Sequence, residues 1–306
     1  MRAIQINSPA KLNLYLDALY KRPDGYHQIQ TVFERVSLSD SIVLERRRCK
    51  TIRIFCSEPG VPCNQDNLCY KAARLLQKEY RVACGADIHI EKRIPVASGL
   101  AGGSSNAASV LLGLNKLWRL ELDKYALIDH GRHIGSDTAF FLYDVSFAFA
   151  AGRGEEVYPI AANHTFWHII AAPPIKIYTP DVYRNLKLAN SPPAGKNLAP
   201  SAPTRARHTN VLTKPLADVN ILIYGLRSGG VDALNSALYN CLEAPALKLD
   251  KTGLILKTKN EFKKLGLRPL MTGSGPAVFG ILETRKEAEG LARKFRQRRV
   301  FVVSTF

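Results

Sequence analysis

A loop of small residues is the segment of this sequence best suited to chemistry. Residues 95–108 read P-V-A-S-G-L-A-G-G-S-S-N-A-A and lead into a helical pattern over 106–117. Glycines let backbone N–H groups approach phosphate oxygens, and a following helix offers free N–H donors and a partial positive charge. Ser104 and Ser105 add hydroxyl groups at the same place. The segment therefore predicts a phosphate site.

A simpler interpretation of this segment is a serine or asparagine helix cap after a flexible turn. It accounts for Ser104, Ser105 and Asn106 but leaves the three glycines at positions 99, 102 and 103 unexplained. The sequence contains neither G-x-x-x-x-G-K-[S/T] nor G-x-G-x-x-G, the phosphate loops of P-loop and dinucleotide-binding proteins. A different phosphate loop is required.

Polar residues also occur in four short segments elsewhere in the chain. P-A-K-L-N-L spans 9–14, R-P-D-G-Y-H spans 22–27, G-S-D-T spans 135–138 and M-T-G-S-G-P-A spans 271–277. Taken singly, each has an ordinary explanation, because a lysine in a strand is usually solvated and Gly-Ser-Asp is usually a turn or a helix cap. Their order and spacing around the glycine loop are more specific than any one of them.

Together these segments resemble the motifs of the superfamily that contains galactokinase, homoserine kinase, mevalonate kinase and phosphomevalonate kinase (GHMP kinases). The resemblance covers nearly the whole chain and implies phosphorylation of a small-molecule hydroxyl by ATP. At the matching positions, Asp137 is expected to accept or orient the proton of that hydroxyl. Lys11 is expected to keep Asp137 ionised and to neutralise the transferring group. Ala97, Ser98 and Ala101 replace frequent glycines without removing a donor.

The segment R-P-D-G-Y-H is similar to that of superfamily members acting on a cytidine-diphosphate-linked polyol in the non-mevalonate route to isoprenoids. This resemblance implies that the cytosine base stacks between Tyr26 and Tyr183, with His27 at its edge. Asn13 and Thr179 are expected to hold polar atoms of the same substrate. A kinase for mevalonate-like, homoserine-like or sugar substrates is the alternative, and the Tyr26-His27 pair argues against it.

The resemblance also implies a nucleotide site and its cofactor. ATP is expected with Mg²⁺, for which the Ser105 hydroxyl is the nearest candidate ligand, since the helix glutamate of some relatives has no counterpart here. His130 and His133 have helical spacing but no third ligand nearby, so they do not predict a metal site. The implied ATP-binding residues are Asn67, Leu68 and Lys92 beside the adenosine, and Pro95, Val96, Ala97, Ser98, Gly99, Leu100, Ala101, Gly102, Gly103, Ser104 and Ser105 around the phosphates.

The elements that must position these residues fall into two halves. Strands are predicted over 3–8, 11–19, 30–38, 41–45 and 51–56, followed by a helix over 68–80, a strand over 86–90 and the glycine loop. A fresh strand over 166–172 follows a boundary near residue 155. Residues 190–210, rich in Pro, Ala and Arg, are predicted to form a long surface loop. A strand, strand, helix (285–298) and strand over 270–304 indicate half of a ferredoxin-like sandwich.

With the resemblance, these patterns predict an α+β protein of the GHMP kinase fold. Residues 1–155 are expected to form a ribosomal-protein-like, ATP-binding domain. Residues 156–306 are expected to form a ferredoxin-like α/β sandwich. The active site is expected in the cleft between the two domains.

Composition limits the other function classes. Lys and Arg number 43 against 26 Asp and Glu, and the net charge of +17 attracts polyanions. A basic RNA-binding protein of related fold is therefore the alternative from another class, but it leaves the glycine loop, Lys11 and Asp137 unexplained, so no nucleic-acid partner is expected. No apolar run approaches the ~20 residues that span a bilayer. Six cysteines without a C-x-x-C pair are expected to be reduced thiols in a cytoplasmic protein.

Overall fold

Two β-sheets with helices packed against them form the fold of the computed structural model. The described residues are 2–186, 188, 219–296 and 299–306, so the surface loop predicted over 190–210 lies outside them. The first sheet contains β1 (Ala3–Lys21), β2 (His27–Arg47), β3 (Ile52–Cys56), β4 (Gly85–Glu91), β5 (Phe147–Ala151), β6 (Glu156–Pro159) and β8 (Tyr239–Asn240). The second contains β7 (Trp167–Ala171), β9 (Leu270–Met271), β10 (Val278–Leu282) and β11 (Val300–Ser304). The helices are α1 (Leu68–Glu79), α2 (Gly102–Trp118), α3 (Lys124–Ile134), α4 (Thr138–Leu142), α5 (Thr179–Arg184), α6 (Val219–Ser228), α7 (Val231–Ala237), α8 (Glu243–Leu249), α9 (Leu254–Lys264) and α10 (Arg285–Ala292).

The strand order of the two sheets follows the predicted division of the chain only in part. The first sheet has the order β3-β4-β2-β1-β8, with β5 beside β2 and β6 beside β5, and the second has the order β11-β7-β10-β9. Because β6 pairs with β5, the segment just after residue 155 still belongs to the first sheet. β8, from the second half, runs parallel to β1. The division into 1–155 and 156–306 stays a prediction.

The strand, strand, helix and strand predicted over 270–304 are present as β9, β10, α10 and β11. The helix is shorter than predicted and ends at Ala292 instead of residue 298. Just beyond it, Phe295 packs edge-on against Phe262 of α9, with ring centroids 4.6 Å apart. Phe295 therefore packs against α9 just after the end of α10. The charge pattern of the sequence predicted that the helix continues over these residues.

Four of the short strands predicted at the start of the chain are joined into two long ones, β1 and β2. The register between them shifts near Pro9, Asn13 and Ala18. A bulge accommodates a residue that does not fit the ladder, such as Pro9 with no N–H to donate, and pairing then resumes. Lys11 and Asn13 lie two residues apart beside these irregularities, so their side chains share one face of a bent strand.

Helix α2 begins at Gly102, four residues earlier than predicted. Ala101 precedes it in the left-handed region with a φ of 56°, and no side chain caps the helix. The low helix propensity of glycine favoured a loop over this run. In the structure, a Cβ at position 102 would lie 3.1 Å from Cγ2 of Ile94, so close packing explains the glycine. The free N–H groups of the helix start therefore lie within the glycine run itself.

Three buried clusters of apolar side chains hold these elements together. The first lies between the first sheet and α1–α4 and includes Leu44 and Ile88. The second joins the two sheets through Leu12 and Leu14 of β1 and Phe279 of β10. The third packs α9 against the second sheet. Burial of apolar surface is the main stabilising contribution to folding, so the second cluster fixes the two sheets relative to each other.

Membrane insertion was also considered for the helices. Among the residues that the structure describes, none of the helices has both the length and the apolar character needed to cross a bilayer.

Candidate active site

A large cleft receives residues from the first sheet, from the glycine loop, from α5 and from the turn at 271–277. Its volume is about 1170 Å³, which exceeds the ~300–1,000 Å³ of a typical single-ligand pocket. All but two of the predicted site residues line it, and the exceptions are Leu100 and Ser105. Leu100 is instead buried in the apolar cluster that joins the sheets. The cleft has room for two substrates side by side.

A buried lysine and a carboxylate meet in the middle of the cleft. Nζ of Lys11 lies 3.5 Å from Oδ2 of Asp137, and the Lys11 residue is only 3% exposed. Lys11 also donates to Oδ1 of Asn13 and lies 5.2 Å from the ring centroid of Phe33. Burial lowers the pKa of Lys11 from its ordinary value, and the nearby Asp137 opposes that change. The buried Lys11 ammonium therefore gives up its proton more readily than an exposed lysine, and while it is charged it acts on groups in the cleft.

Asp137 stands immediately before α4 without capping it. Its backbone is helical, with φ −86°, and its side chain accepts no hydrogen bond from the helix start. The carboxylate instead faces Lys11, and a Cβ at Gly154 would come within 3.6 Å of Oδ1. Gly-Ser-Asp does form a turn, closed by the Thr138 N–H and the Gly135 carbonyl at 3.0 Å, but the Asp137 side chain does not cap the helix. A carboxylate that is free of the helix and open to the cleft is available to accept a proton.

Asn13 orients the lysine and ties β1 to the glycine turn at 271–277. Its Nδ2 donates to Oγ1 of Thr31 at 2.8 Å, and its backbone N–H donates to Oγ1 of Thr272 at 2.9 Å. Its Oδ1 accepts from Lys11. The amide is therefore engaged on both sides within the protein. A direct contact of Asn13 with substrate stays a prediction.

The glycine loop keeps an unusual backbone even where alanine replaces glycine. Ala97, Gly99 and Ala101 have φ of 53°, 81° and 56°. The first hydrogen bond into α2 runs from the Ser105 N–H to the Ala101 carbonyl at 3.0 Å, which leaves the N–H groups of residues 102–104 at the open helix start. A Cβ at Gly99 would lie 2.1 Å from the Thr272 carbonyl oxygen, so the loop packs directly on the turn at 271–277.

The residues predicted beside the adenosine lie at one end of the cleft. Asn67 caps α1 by accepting from the Cys69 N–H at 2.8 Å, and it donates to the Pro62 carbonyl at 2.7 Å. Leu68 follows it as the first residue of α1. Lys92 pairs with Asp40 below the loop. The Asn67 side chain therefore bonds the backbone of Cys69 and Pro62 and holds these two segments of the cleft wall together.

The residues predicted to recognise the base line the cleft from the β1–β2 turn and from α5. His27 and Tyr183 stack on each other, with ring centroids 4.8 Å apart and planes 25° apart. Tyr26 is 52% exposed, and the guanidinium of Arg153 lies 4.7 Å from its ring centroid. Burial and the charge of Lys21 lower the pKa of His27, and burial raises the pKa of Tyr183. The imidazole thus covers the ring that was predicted to stack on the base.

Thr179, the remaining predicted substrate residue, joins α5 to the glycine turn at 271–277. Its hydroxyl lies 2.7 Å from Oγ of Ser274. Thr179 is the first residue of α5, which also carries Tyr183. The contact fixes the base-recognition helix relative to the turn that packs on the phosphate loop.

Comparison with known proteins places this arrangement in a family. Residues 67–145 match the model of the GHMP kinases N terminal domain. The chain is 41% identical over 279 residues to the 4-diphosphocytidyl-2-C-methyl-D-erythritol kinase of Shouchella clausii, covering 91% of this chain and 85% of that protein. It is 39% identical over 282 residues to that of Geobacillus thermodenitrificans, covering 92% and 88%. The chain belongs to the 4-diphosphocytidyl-2-C-methyl-D-erythritol kinase family.

Solved structures agree with this membership. A crystal structure of 4-(cytidine 5'-diphospho)-2C-methyl-D-erythritol kinase superposes with a TM-score of 0.75 at 31% identity, covering 98% of both chains. Homoserine kinase from Cytophaga hutchinsonii superposes with a TM-score of 0.72 at 16% identity, which shows a shared fold. The predicted superfamily, the α+β fold and the class of enzyme are confirmed.

Ser104 and Ser105, the two serines at the start of α2, have different surroundings in this kinase. The sequence alone does not show this difference. Ser105, the predicted metal ligand, is fully buried, and its hydroxyl accepts from Oγ of Ser8 at 2.8 Å. Ser104 lines the cleft. Adjacent helical residues point about 100° apart, so only one of the two hydroxyls can face the phosphates. The structure favours Ser104 in place of Ser105.

Several residues that line the cleft of this kinase were missed in the sequence. Arg153 is one of them, because no functional role was predicted for the segment before the boundary near residue 155. Its flanking glycines have φ of 69° and 110°, a signal for a sharp turn that presents the side chain between them. Lys21 and Arg184 also line the cleft, each next to a predicted recognition residue in space or sequence.

Proposed function

We propose that this protein transfers the γ-phosphoryl group of ATP to the 2-hydroxyl of 4-diphosphocytidyl-2-C-methyl-D-erythritol, giving the 2-phosphate and ADP. The carrying observation is the contact of Lys11 and Asp137, 3.5 Å apart, in a cleft that also holds the start of α2. Relatives about 40% identical over most of the chain carry the name of this activity. The reaction belongs to the non-mevalonate route to isoprenoids, and its cytoplasmic location stays a prediction from the sequence.

The residues in the cleft divide the chemistry among them. The Asp137 carboxylate is available to accept the proton of the acceptor hydroxyl or to orient that hydroxyl toward the phosphate. The Lys11 ammonium offsets negative charge on the transferring group, and Asn13 keeps it in place. The N–H groups at residues 102–104 suit the phosphate oxygens of ATP. Positioning and charge stabilisation are the main requirements of phosphoryl transfer.

A divalent metal ion fits this site as a partner of the nucleotide. Mg²⁺ typically keeps several waters and takes only one or two protein ligands besides the phosphates. Within the described residues, no group of three His, Cys, Asp or Glu side chains is placed to hold a metal by itself. The Ser104 hydroxyl in the cleft is the group that would hold Mg²⁺, and the ion would supply charge neutralisation on the phosphates.

Three cationic side chains lie beside the residues predicted to recognise the base, although the cytosine base itself is neutral. Lys21 pairs with His27 in the β1–β2 ladder, Arg153 lies over Tyr26, and Arg184 follows Tyr183. Each predicted base-recognition residue therefore has a cation next to it, and two of these cations are paired within the protein, Arg153 with Glu155 at 3.3 Å and Arg184 with Asp181. A diphosphate attached to the base supplies the negative charge that this end of the cleft suits.

The proposed activity is tested by a panel of acceptors with labelled ATP and Mg²⁺. The cytidine-diphosphate substrate should be phosphorylated, whereas mevalonate and homoserine should not. Asp137→Asn should lower turnover by roughly 10²-fold or more while nucleotide binding persists, because general acid–base groups typically contribute about that much. Asp129→Asn, which changes an aspartate outside the cleft, is the matched control. Phosphorylation of mevalonate in preference to the cytidine compound would refute the assignment of substrate.

A further inference from the structure

A buried carboxylate on β2 lies beneath the glycine loop and takes no part in the chemistry described above. Asp40 is 1% exposed. Its Oδ1 accepts hydrogen bonds from the backbone N–H groups of Arg93 at 2.7 Å and Ile94 at 2.9 Å. Its Oδ2 accepts from Nδ2 of Asn106 at 2.9 Å and pairs with Nζ of Lys92. One side chain therefore receives four donors.

These donors stand at the two ends of the phosphate loop. Arg93 and Ile94 immediately precede the glycine-rich segment 95–105, and Asn106 immediately follows it, in the second turn of α2. Asp40 thus joins the entry and the exit of the loop at a single point. Nδ2 of Asn106 also donates to Oγ of Ser8 at 2.9 Å, which extends the tie to β1. A loop whose ends are joined has fewer conformations to lose when it binds a ligand.

The same carboxylate balances charge below the helix start. A Cβ at Gly102 would lie 3.0 Å from Nζ of Lys92, so the ammonium sits directly beside the first residue of α2. The start of a helix carries a partial positive charge, which repels a buried ammonium. Burying an unpaired charge is costly. The Asp40 carboxylate makes it possible to keep Lys92 there before an anionic ligand arrives.

We propose that Asp40 is a positioning residue for the nucleotide. By holding both ends of loop 95–105 and the ammonium of Lys92, it sets the N–H groups of residues 102–104 for the phosphates without touching them. This inference rests on the proposed nucleotide site but not on the identity of the acceptor. It assigns to Asp40 a selective effect on ATP, whereas a purely structural role would affect stability and both substrates alike.

Binding of a non-hydrolysable ATP analogue, measured by calorimetry without acceptor, tests this role. Asp40→Asn should weaken binding about tenfold or more, because hydrogen bonds to a charged group are lost. The KM for ATP should rise similarly, while the KM for the acceptor stays within about twofold. Asp87→Asn is the matched control. Asp87 is also buried and paired with two arginines, Arg47 at 3.0 Å and Arg53 at 2.7 Å, but it lies outside the cleft.

A second variant and a second measurement cover the case in which Asp40→Asn fails to fold. Asn106→Ala removes the tie from α2, together with the contacts of Asn106 with Ser8 and Lys92, and leaves the other three donors on Asp40. Amide hydrogen exchange of residues 97–104, which needs no ligand, should become faster in this variant but not in Asp87→Asn. Unchanged exchange together with wild-type affinity for the ATP analogue would overturn the inference, as would equal changes in both KM values. If the wild-type protein bound no ATP analogue, the proposed function would fail, and the exchange measurement would still decide whether Asp40 orders the loop.

Discussion

At the scale of single residues, the pair formed by Lys11 and Asp137 ties catalysis to pH. Burial lowers the pKa of Lys11, and Asp137 raises it in part. If the ammonium is the active form, the rate should fall as pH rises through a pKa that lies below 10.5. Because the unfolded state binds this proton up to that ordinary value, folding stability should increase with pH over the same interval.

This pH dependence is measurable at the residue itself. NMR titration of labelled lysine side chains should reveal one lysine with a pKa below 10.5, and its signal should disappear in Lys11→Met. In Asp137→Asn the pKa should drop further, because the carboxylate that favours the charged form is gone. A pKa that does not respond to Asp137→Asn would show that the two groups are not coupled.

The aromatic residues at the acceptor end give a prediction that separates the two substrates. Tyr26→Ala should raise the KM for the cytidine substrate by roughly tenfold, since stacking of a base on an aromatic ring is worth ~1–3 kcal/mol. The KM for ATP should stay close to the wild-type value, because Tyr26 is not among the residues predicted to hold ATP. Tyr125→Ala, which removes a tyrosine that is 77% exposed on α3, is the control. A loss of ATP affinity with unchanged acceptor binding would reverse the placement of the two substrates.

At the scale of elements, the packing of the phosphate loop on the turn at 271–277 distinguishes glycines that look alike in the sequence. Gly99→Ala should lower the melting temperature and weaken ATP binding, because position 99 has a φ of 81° and its Cβ would collide with the Thr272 carbonyl. Gly103→Ala should leave stability unchanged or raise it by up to ~1 kcal/mol, since it lies in α2 and its nearest neighbour would be 3.9 Å away. Thermal unfolding of both variants checks this. Equal melting temperatures would contradict the proposed contact.

Much of the element pattern follows from local sequence, and the exceptions have physical causes. The helix predicted over 68–80 begins at the predicted residue, because its start depends on a local interaction, the cap by the Asn67 side chain. The joining of short strands into β1 and β2 was missed, since bulges depend on the partner strand. The start of α2 was also missed, because the close approach of Ile94 to Gly102 brings together residues eight positions apart on either side of a turn that local propensities do not specify. Local patterns thus define most elements, and tertiary contacts define their ends.

The site shows the same limit. Motif positions identified Lys11 and Asp137, which the structure brings into contact. The choice between Ser104 and Ser105 depends on which hydroxyl meets Ser8, and no single-sequence pattern contains that information. The stacking of His27 on Tyr183 likewise joins residues from two halves of the chain. The sequence therefore predicted which residues form the site, but it did not predict which partners their side chains contact.

At the scale of the whole molecule, the excess of positive charge should act on the acceptor through the cations of the cleft. Lys21→Gln should raise the KM for the cytidine-diphosphate substrate about two- to fivefold at low salt, and the difference should shrink as salt screens the charges. Unmodified cytidine as a competitive inhibitor should be affected much less, because it lacks the diphosphate. Arg48→Gln, an exposed cation outside the cleft, is the control. An equal loss of affinity for cytidine would show that Lys21 contacts the base.

The parallel pairing of β8 with β1 has a consequence for how the cleft opens. Tyr15 and Leu16 of β1 are bonded to β2 on one side and to β8 on the other. A fragment limited to residues 1–155 would leave that edge bare and uncover Leu12 and Leu14, a combination that promotes aggregation between strands. The two halves of the chain are therefore expected to fold together, and a hinge that separated them would also have to break the β1–β8 pairing. Opening of the cleft without breaking that pairing is expected to come from side chains at its rim, such as the His27 imidazole that stacks on Tyr183.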